Sequence, residues 1–404
     1  MSTLTITDFD AAMKALRHRD LRQGLYDEGA VLMDRVLVNL HGDEHRDRRN
    51  VEAKVFRKDF FNYYEHEVFP KTLELTIRPY LEKGRADVVE FGFRSMMSLT
   101  ADFAGIDRQD YSAEETETLL SMLRAFGQGA TLSHSKRNRD EVRAEVRAAM
   151  AEYDRRFLQP SIKVRQAAIA RFRAGEISED DLPRDILTVL LFNRDKLDLP
   201  DDVLLREMAF FFVAGAQTSI HSLTHAVHEI MNWCVKNPKD WQRIVDEPLF
   251  LQRCVHESTR LHPSSPVATR RPTCPIHLDP GHDVTPDDIV VANLYEANRD
   301  SKIFGPDAAE FNPHRETPSG VYPYGLSFGY GMHACLGRNL AAGVEPRPTT
   351  DPVTHQYGTV TLICQALFRN GARPDPENPP RMDETTARPN WGIYPIVFSG
   401  NAKA

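Results

Sequence analysis

The sequence lacks the means for a disulfide framework. Its 404 residues hold only five cysteines, Cys234, Cys254, Cys274, Cys335 and Cys364, an odd and scattered set with no CxxC pair. Neither a cross-linked secreted scaffold nor a zinc knuckle is suggested, and at least one thiol stays outside any intrachain bridge. A basic excess is missing too: 50 Lys and Arg face 58 Asp and Glu, for a formal charge of −8, which disfavours a uniformly basic nucleic-acid binder. The opening MSTLTITDFD has neither the basic start nor the apolar core of a secretory signal, so a cytoplasmic protein is expected. The longest apolar run of note, 208–216, is about half of what a bilayer crossing requires, so no membrane span is expected. Internal repeats and low-complexity tracts are absent as well.

What remains is a globular composition, 41% apolar and 27% charged, able to bury a large core. Length alone allows two or three domains or one integrated one. Helical periodicity dominates the first two thirds, with predicted helices over 9–17, 45–64, 72–80, 113–126, 140–172 and 185–192. The most informative helix follows Pro200, is capped by Asp201 or Asp202, and continues to about Cys234. At about 1.5 Å per residue it approaches 50 Å, enough to cross a compact domain. Around 210–216 it is apolar on nearly every side, which makes it the candidate central axis. A helix over 248–261 ends at His262-Pro263, and strand-like segments follow at 276–278 and 289–294.

Four patterns carry chemistry. The first is 328–337, FGYGMHACLG, where glycines flank one cysteine just before a helical stretch. Glycines allow close backbone approach to a flat ligand and turn amide hydrogens toward a sulfur, conditions that favour a thiolate. Such a thiolate is a strong donor to haem iron, and Phe328 would shield it from water. A Gly-rich loop around a structural cysteine is the plainer alternative. The second pattern, Glu257-Ser258-Thr259-Arg260, sets a carboxylate and a guanidinium three apart on one helix face. Alone it is most simply an exposed pair, but 261–263 (LHP), 297–300 (ANRD) and 304–315 (FGPDAAEFNPHR) follow it before the cysteine loop. The third, Ala214-Gly215-Ala216-Gln217-Thr218-Ser219, puts a costly glycine mid-helix beside a hydroxyl. It either opens the helical ladder for a small ligand or lets a neighbouring helix pack closely. The fourth, His45-Arg46-Asp47-Arg48-Arg49, sets His45 and Arg49 one turn apart, to bind a carboxylate or to form a solvated basic face.

In this order and at these separations the four patterns resemble the cytochrome P450 family of haem-thiolate monooxygenases, from about residue 5 to the end. The resemblance implies a mainly α fold with a small β portion, one domain over 1–404, and a long central helix over a buried haem b (iron protoporphyrin IX). It implies Cys335 as the proximal iron ligand inside a loop marked by Phe328, Gly329 and Gly337, with Glu257 and Arg260 as a structural pair bracing that core together with 312–315. It places haem propionates on His45, Arg49, His333 and one of Arg270 and Arg271, of which Arg270 fits the spacing better. It sets Gly215, Gln217 and Thr218 over the iron, with Thr218 hydrogen-bonding to the bound oxygen. Val213, Ala214, Gln217, Val267, Ala268 and the loop before His45 would wall a pocket for an apolar small molecule. The implied reaction uses O2 and electrons from a separate ferredoxin or flavodoxin, for which Arg46, Arg48, Arg49, Lys54, Arg57 and Lys58 would form a docking surface.

Three departures from the family pattern stand out. Gln217 occupies the place of an acid, and an amide cannot shuttle protons as a carboxylate does. This brings in two alternatives: a peroxygenase or isomerase needing no external electrons, and a non-catalytic haem-binding sensor. The peroxygenase variant's distal Arg and Pro, however, are absent from 210–219. The amino terminus looks shortened, with the opening helix and strands of the pattern missing. Pro346, Pro348 and Pro352 interrupt the helix after the cysteine, which is expected to stop near Val344 and resume over 360–368, with weaker haem retention as the implied consequence.

Overall fold

In a computed structural model that describes residues 2–278, 281–347 and 349–399, the protein is built around one continuous helix, Asp201–Lys236. Val203, Met208, Phe212, Val213, Ala216, Ile220, Val227 and Ile230 are buried along it, so its middle is enclosed as its composition requires. By length and hydropathy alone this helix could cross a membrane; here it is the core of the fold. Asp201 and Asp202 do not cap it: Pro200 holds the cap position, and Asp202 instead pairs with Arg206 one turn on at 2.8 Å.

The closest neighbour of the central helix is Val88–Ala104, which periodicity misses because it is apolar on most sides and shows no polar stripe. Its ends are nonetheless well marked. Asp87 accepts the amide of Val89 at 3.0 Å, and Gly105 closes the helix with a left-handed φ of 86°. Two glycines let the helices approach. A Cβ on Gly92 would sit 3.2 Å from Leu223, and one on Gly215 would sit 2.8 Å from the Thr100 methyl. Gly215 is thus a helix-packing residue in an unbroken helix, and the ladder is not opened there.

Two predicted helices divide. The 45–64 segment forms Gly42–Glu52 and Lys58–Tyr63, because Val55 and Phe56 turn into the core, where Phe56 meets Phe103 at 4.8 Å between ring centroids. The 140–172 segment forms Arg139–Tyr153 and Gln159–Arg173 around a π turn, Asp154–Leu158. A matching π turn, Tyr64–Val68, precedes Phe69–Lys83. Both turns stand just ahead of a proline, Pro70 or Pro160, whose missing amide and ring disfavour the ordinary i−4 bond and push the chain to the wider turn.

The main sheet has four strands in the order Thr3–Ile6, Ile289–Asn293, Val267–Pro272, Leu21–Gln23, with the first pair parallel and the others antiparallel. The chain thus opens directly on a strand of the main sheet, Thr3–Ile6. The helix after the cysteine loop, Arg338–Ala342, ends as expected, and Thr359–Arg369 resumes. Between them the chain makes an excursion whose neck is sealed tightly. A Cβ on Gly358 would lie 2.3 Å from the Gly343 nitrogen, which explains the glycines at both positions. Gln252 Nε2 lies 3.1–3.4 Å from the carbonyls of Ala342, Val344, Gln356 and Tyr357, and Glu65 accepts the amides of Tyr357 and Gly358. Of the three prolines in this stretch, Pro348 lies outside the described residues.

Candidate active site

The cysteine loop is shaped by glycines that no other residue could replace cheaply. Gly331 has φ of 70°, and a Cβ there would lie 2.7 Å from the Leu16 carbonyl oxygen. The Cys335 amide donates to Phe328 O at 2.9 Å, closing the loop on itself. Burial pushes the thiol above its ordinary value, opposed by the amides of Gly337 and Arg338 and by the guanidinium groups of Arg49 and Arg338. Cys335 is enclosed by protein and still leaves its surface open, which requires a void beside it. Phe328 is half-buried, with its ring 4.9 Å from that of Tyr324.

A saturated polar network holds this loop. Arg260 grips Glu257 through two bonds of 2.7 and 2.8 Å, both side chains being buried. Glu257 also accepts from Arg315 Nε at 3.0 Å and from the Asn312 amide at 3.1 Å. Arg260 Nη1 donates to the carbonyls of Asn298 and Ala308, and Asn298 accepts the Leu326 amide at 2.8 Å while donating to Ser327 Oγ. The network runs from the Glu257 helix through Asn298 to the start of the cysteine loop, so both members of this buried pair are engaged within the scaffold.

The opposite situation holds on the other side of the loop. The His45 and His333 rings lie 4.5 Å apart, and His45 Nε2, His41 Nδ1 and both nitrogens of His333 are buried without a hydrogen-bond partner. Burial, with Arg49 and His41 nearby, holds His45 down at about 4; His333 is pushed down as well, by burial and by Arg270. Arg49 donates to Ala334 O at 2.5 Å. Arg271 is committed to Asp27 at 3.2 Å, whereas Arg270, held at about 10 by burial, bonds only neutral oxygens of Gln23 and Thr269. Four sequence-predicted residues thus converge as guanidinium and imidazole groups whose hydrogen-bond partners include no carboxylate. Such a set fits the carboxylates of a haem.

The central helix lines a cavity with Val213, Ala214, Gln217 and Thr218. Thr218 is exposed into it although it lies mid-helix, and its Oγ1 donates to Ala214 O at 2.8 Å. Gln217 Nε2 lies 3.0 Å from His221 Nε2, which also meets Asn390 Nδ2 at 3.1 Å, leaving Gln217 Oε1 buried without a partner. The loop before His45 contributes Leu25, Tyr26 and Met33 to the lining. Val267 and Ala268 are not in it: the backbone there is committed to the sheet, and Ser265 takes the place. The lining is also less apolar than expected. His134 and Arg388 face the cavity, and sequence reading singled out neither, because their neighbours are remote in the chain. The expected docking surface shrinks: Arg48 is buried on Glu207 at 2.8 Å, Arg49 turns inward, and Asp43, Asp47 and Asp59 pair with Arg46 and Arg57. Lys54 and Lys58 are left as exposed cations without an acidic partner among the described residues.

Comparison with known proteins gives the same reading. The family model for cytochrome P450 matches residues 242–343, the segment that carries Glu257, Arg260 and Cys335. Pulcherriminic acid synthase of Bacillus subtilis (strain 168) is 24% identical over 322 residues, 77% of this chain and 71% of that protein. Two further curated relatives are matched over only 17% and 38% of their own length. The crystal structure of CalO2 shares the fold with a TM-score of 0.74 at 20% identity, covering 98% of this chain and 90% of that one. P450BioI, solved in complex with a hexadec-9Z-enoic acid ligated acyl carrier protein, follows with a TM-score of 0.73 at 17% identity over 98% and 91% of the two chains. The shared architecture shows the fold, and the family match falls on the cysteine loop and its polar brace; together with the curated relative they support the cytochrome P450 family of haem-dependent monooxygenases for this chain.

Proposed function

We propose that this chain is a cytoplasmic, single-domain monooxygenase that hydroxylates a largely apolar organic molecule, with haem b as cofactor and a separate ferredoxin or flavodoxin as electron donor. The observation that carries this reading is an enclosed thiol with open surface beside the unpartnered imidazole nitrogens of His45 and His333 and the guanidinium groups of Arg49 and Arg270, which bond no carboxylate. When bound, the haem supplies O2 activation and oxygen transfer. Cys335 would be the thiolate ligand, its charged form favoured against burial by the amides of Gly337 and Arg338 and by the nearby Arg49 and Arg338. His45, Arg49, His333 and Arg270 take the propionates, and Glu257 with Arg260 keeps the loop in shape. Thr218 presents its hydroxyl to the cavity and holds or passes a proton there. Gln217 does not act as an acid; it orients through His221, and protons reach Thr218 through water. Lys54 and Lys58 remain as the exposed charges of this helical region for an acidic carrier.

The amide at position 217 favours one second reading, use of the same pocket with peroxide in place of O2 and electrons. Two measurements decide. The reduced, carbon monoxide-bound holoprotein is expected to show the red-shifted Soret band of thiolate ligation; a band at the position of imidazole-ligated haem overturns the assignment of Cys335. NADH consumption matched by product, with a surrogate ferredoxin and its reductase, supports the monooxygenase; product formed only with peroxide supports the second reading.

A further inference from the structure

The distal cavity holds a charge that nothing answers. Arg388 is 7% exposed and lines the cavity, and its Nε and one terminal nitrogen are buried without a hydrogen-bond partner. Among the described residues no Asp or Glu forms an ion pair with it. The charged and titratable groups around it are Tyr26, His134 and His221: burial holds both histidines below their ordinary value, and Arg388 itself lowers them further. A guanidinium cannot shed its proton to escape this situation, so it calls for an anion from outside the chain.

Its position is fixed rather than adventitious. Arg388 sits between the paired strands Arg381–Met382 and Trp391–Ile393, and this connection is tied down on two sides. The Lys136 amide donates to Thr385 O and the Ala387 amide to His134 O, each at 2.8 Å, while Asn390 reaches His221 on the central helix. The Arg388 amide itself donates to Thr386 Oγ1. The side chain is therefore presented to the cavity by a preorganised support.

The same cavity contains Gln217, where the family pattern has an acid. A carboxylate there would put a negative charge in the space that Arg388 faces, and would either capture the guanidinium or repel an anionic ligand. Uncharged Gln217 and unpaired Arg388 are two sides of one arrangement, a cavity emptied of negative charge. Phe210, Val213 and Met33 add an apolar portion to the wall.

We propose that Arg388 anchors a substrate carboxylate, so that the substrate is an apolar carboxylic acid held by its acid group at one end and oxidised along its hydrocarbon portion. This deepens the assignment of the cavity as the substrate site and rests on it. The propionate cluster around His45 and His333 has its own cations, Arg49 and Arg270, and does not need Arg388.

The test titrates holoprotein with straight-chain and aryl-alkanoic acids and with their methyl esters, following the spin-state shift of the Soret band. In the wild type, acids are expected to bind more tightly than their esters. Arg388→Gln is expected to weaken acids by at least about 30-fold while changing esters by less than about 3-fold, and Arg388→Lys to recover part of the loss. Equal binding of acids and esters by the wild type, or no shift with any acid, overturns the proposal even if the Gln variant fails to fold. An equal loss for both ligand classes overturns it too. Loss of haem from a folded Arg388→Gln protein assigns the residue to a propionate and also overturns it. Absence of the thiolate carbonyl band in the wild type would instead refute the reading on which the proposal rests.

Discussion

Two buried polar regions of this molecule behave in opposite ways. Around Glu257 and Arg260, every charged group meets partners supplied by the fold: Arg315, Asn312, Asn298 and the carbonyls of Ala308 and Asn298. Around the cysteine cleft and the distal cavity, side-chain polar atoms of His45, His333, Gln217 and Arg388 are buried without partners. Burying an unsatisfied polar group is costly, so a fold tolerates several of them in one place when a ligand completes them. Saturation marks the scaffold, and its absence marks the site.

The contrast breaks most completely if Cys335→Ser keeps its thiolate spectrum or its turnover. Both are expected to vanish, read by the reduced carbonyl spectrum and by product formation, while secondary structure stays intact by circular dichroism. In the saturated region, Glu257→Ala leaves Arg260 and Arg315 facing each other and is expected to cost about 3–5 kcal/mol in denaturant unfolding. A cost near zero would mean that the brace is dispensable.

His256 sharpens the comparison through pH. It is 1% exposed, its Nε2 lies 2.7 Å from Ala342 O, and burial lowers it from its ordinary 6.5 to about 4. Between these values the unfolded chain binds the extra proton, so this contribution to stability is full above pH 6.5 and is lost as the pH falls toward 4. His256→Gln should flatten the unfolding free energy over that window by on the order of 2–3 kcal/mol. An unchanged slope would place the titrating group elsewhere.

Smaller effects test the helix over the cavity. Gly215→Ala brings a methyl within 2.8 Å of the Thr100 side chain and should destabilise by about 1–3 kcal/mol, with the spectrum unaltered. Gln217→Glu should leave stability nearly unchanged and alter the ratio of product to NADH consumed by a few-fold, since it adds both a proton carrier and a charge facing Arg388. Identical coupling in the two proteins would remove position 217 from the proton route.

Much of this was legible in the chain because it is written in contiguous residues. The loop 328–337, the Glu257–Arg260 step and the apolar length of Asp201–Lys236 each carry their own local signal, and the stop after Arg338–Ala342 followed from prolines. The helix Val88–Ala104 was not legible, because burial on most sides erases the stripe on which periodicity depends. The strand Thr3–Ile6 was hidden by its partner, Ile289–Asn293, which lies at the other end of the chain. The basic run after His45 was misleading at one position: Arg48 read as a surface charge, and only packing shows that it turns inward onto Glu207.

By itself the sequence determined the helical class, the central axis, the thiol and its glycine setting, because backbone propensity and one-helix spacing are properties of neighbours in the chain. Only the tertiary structure decided which charges go unanswered. Arg388 is unpaired because residues around positions 26, 134, 217 and 265 come together around it without bringing a carboxylate, and no local pattern records which distant groups will meet.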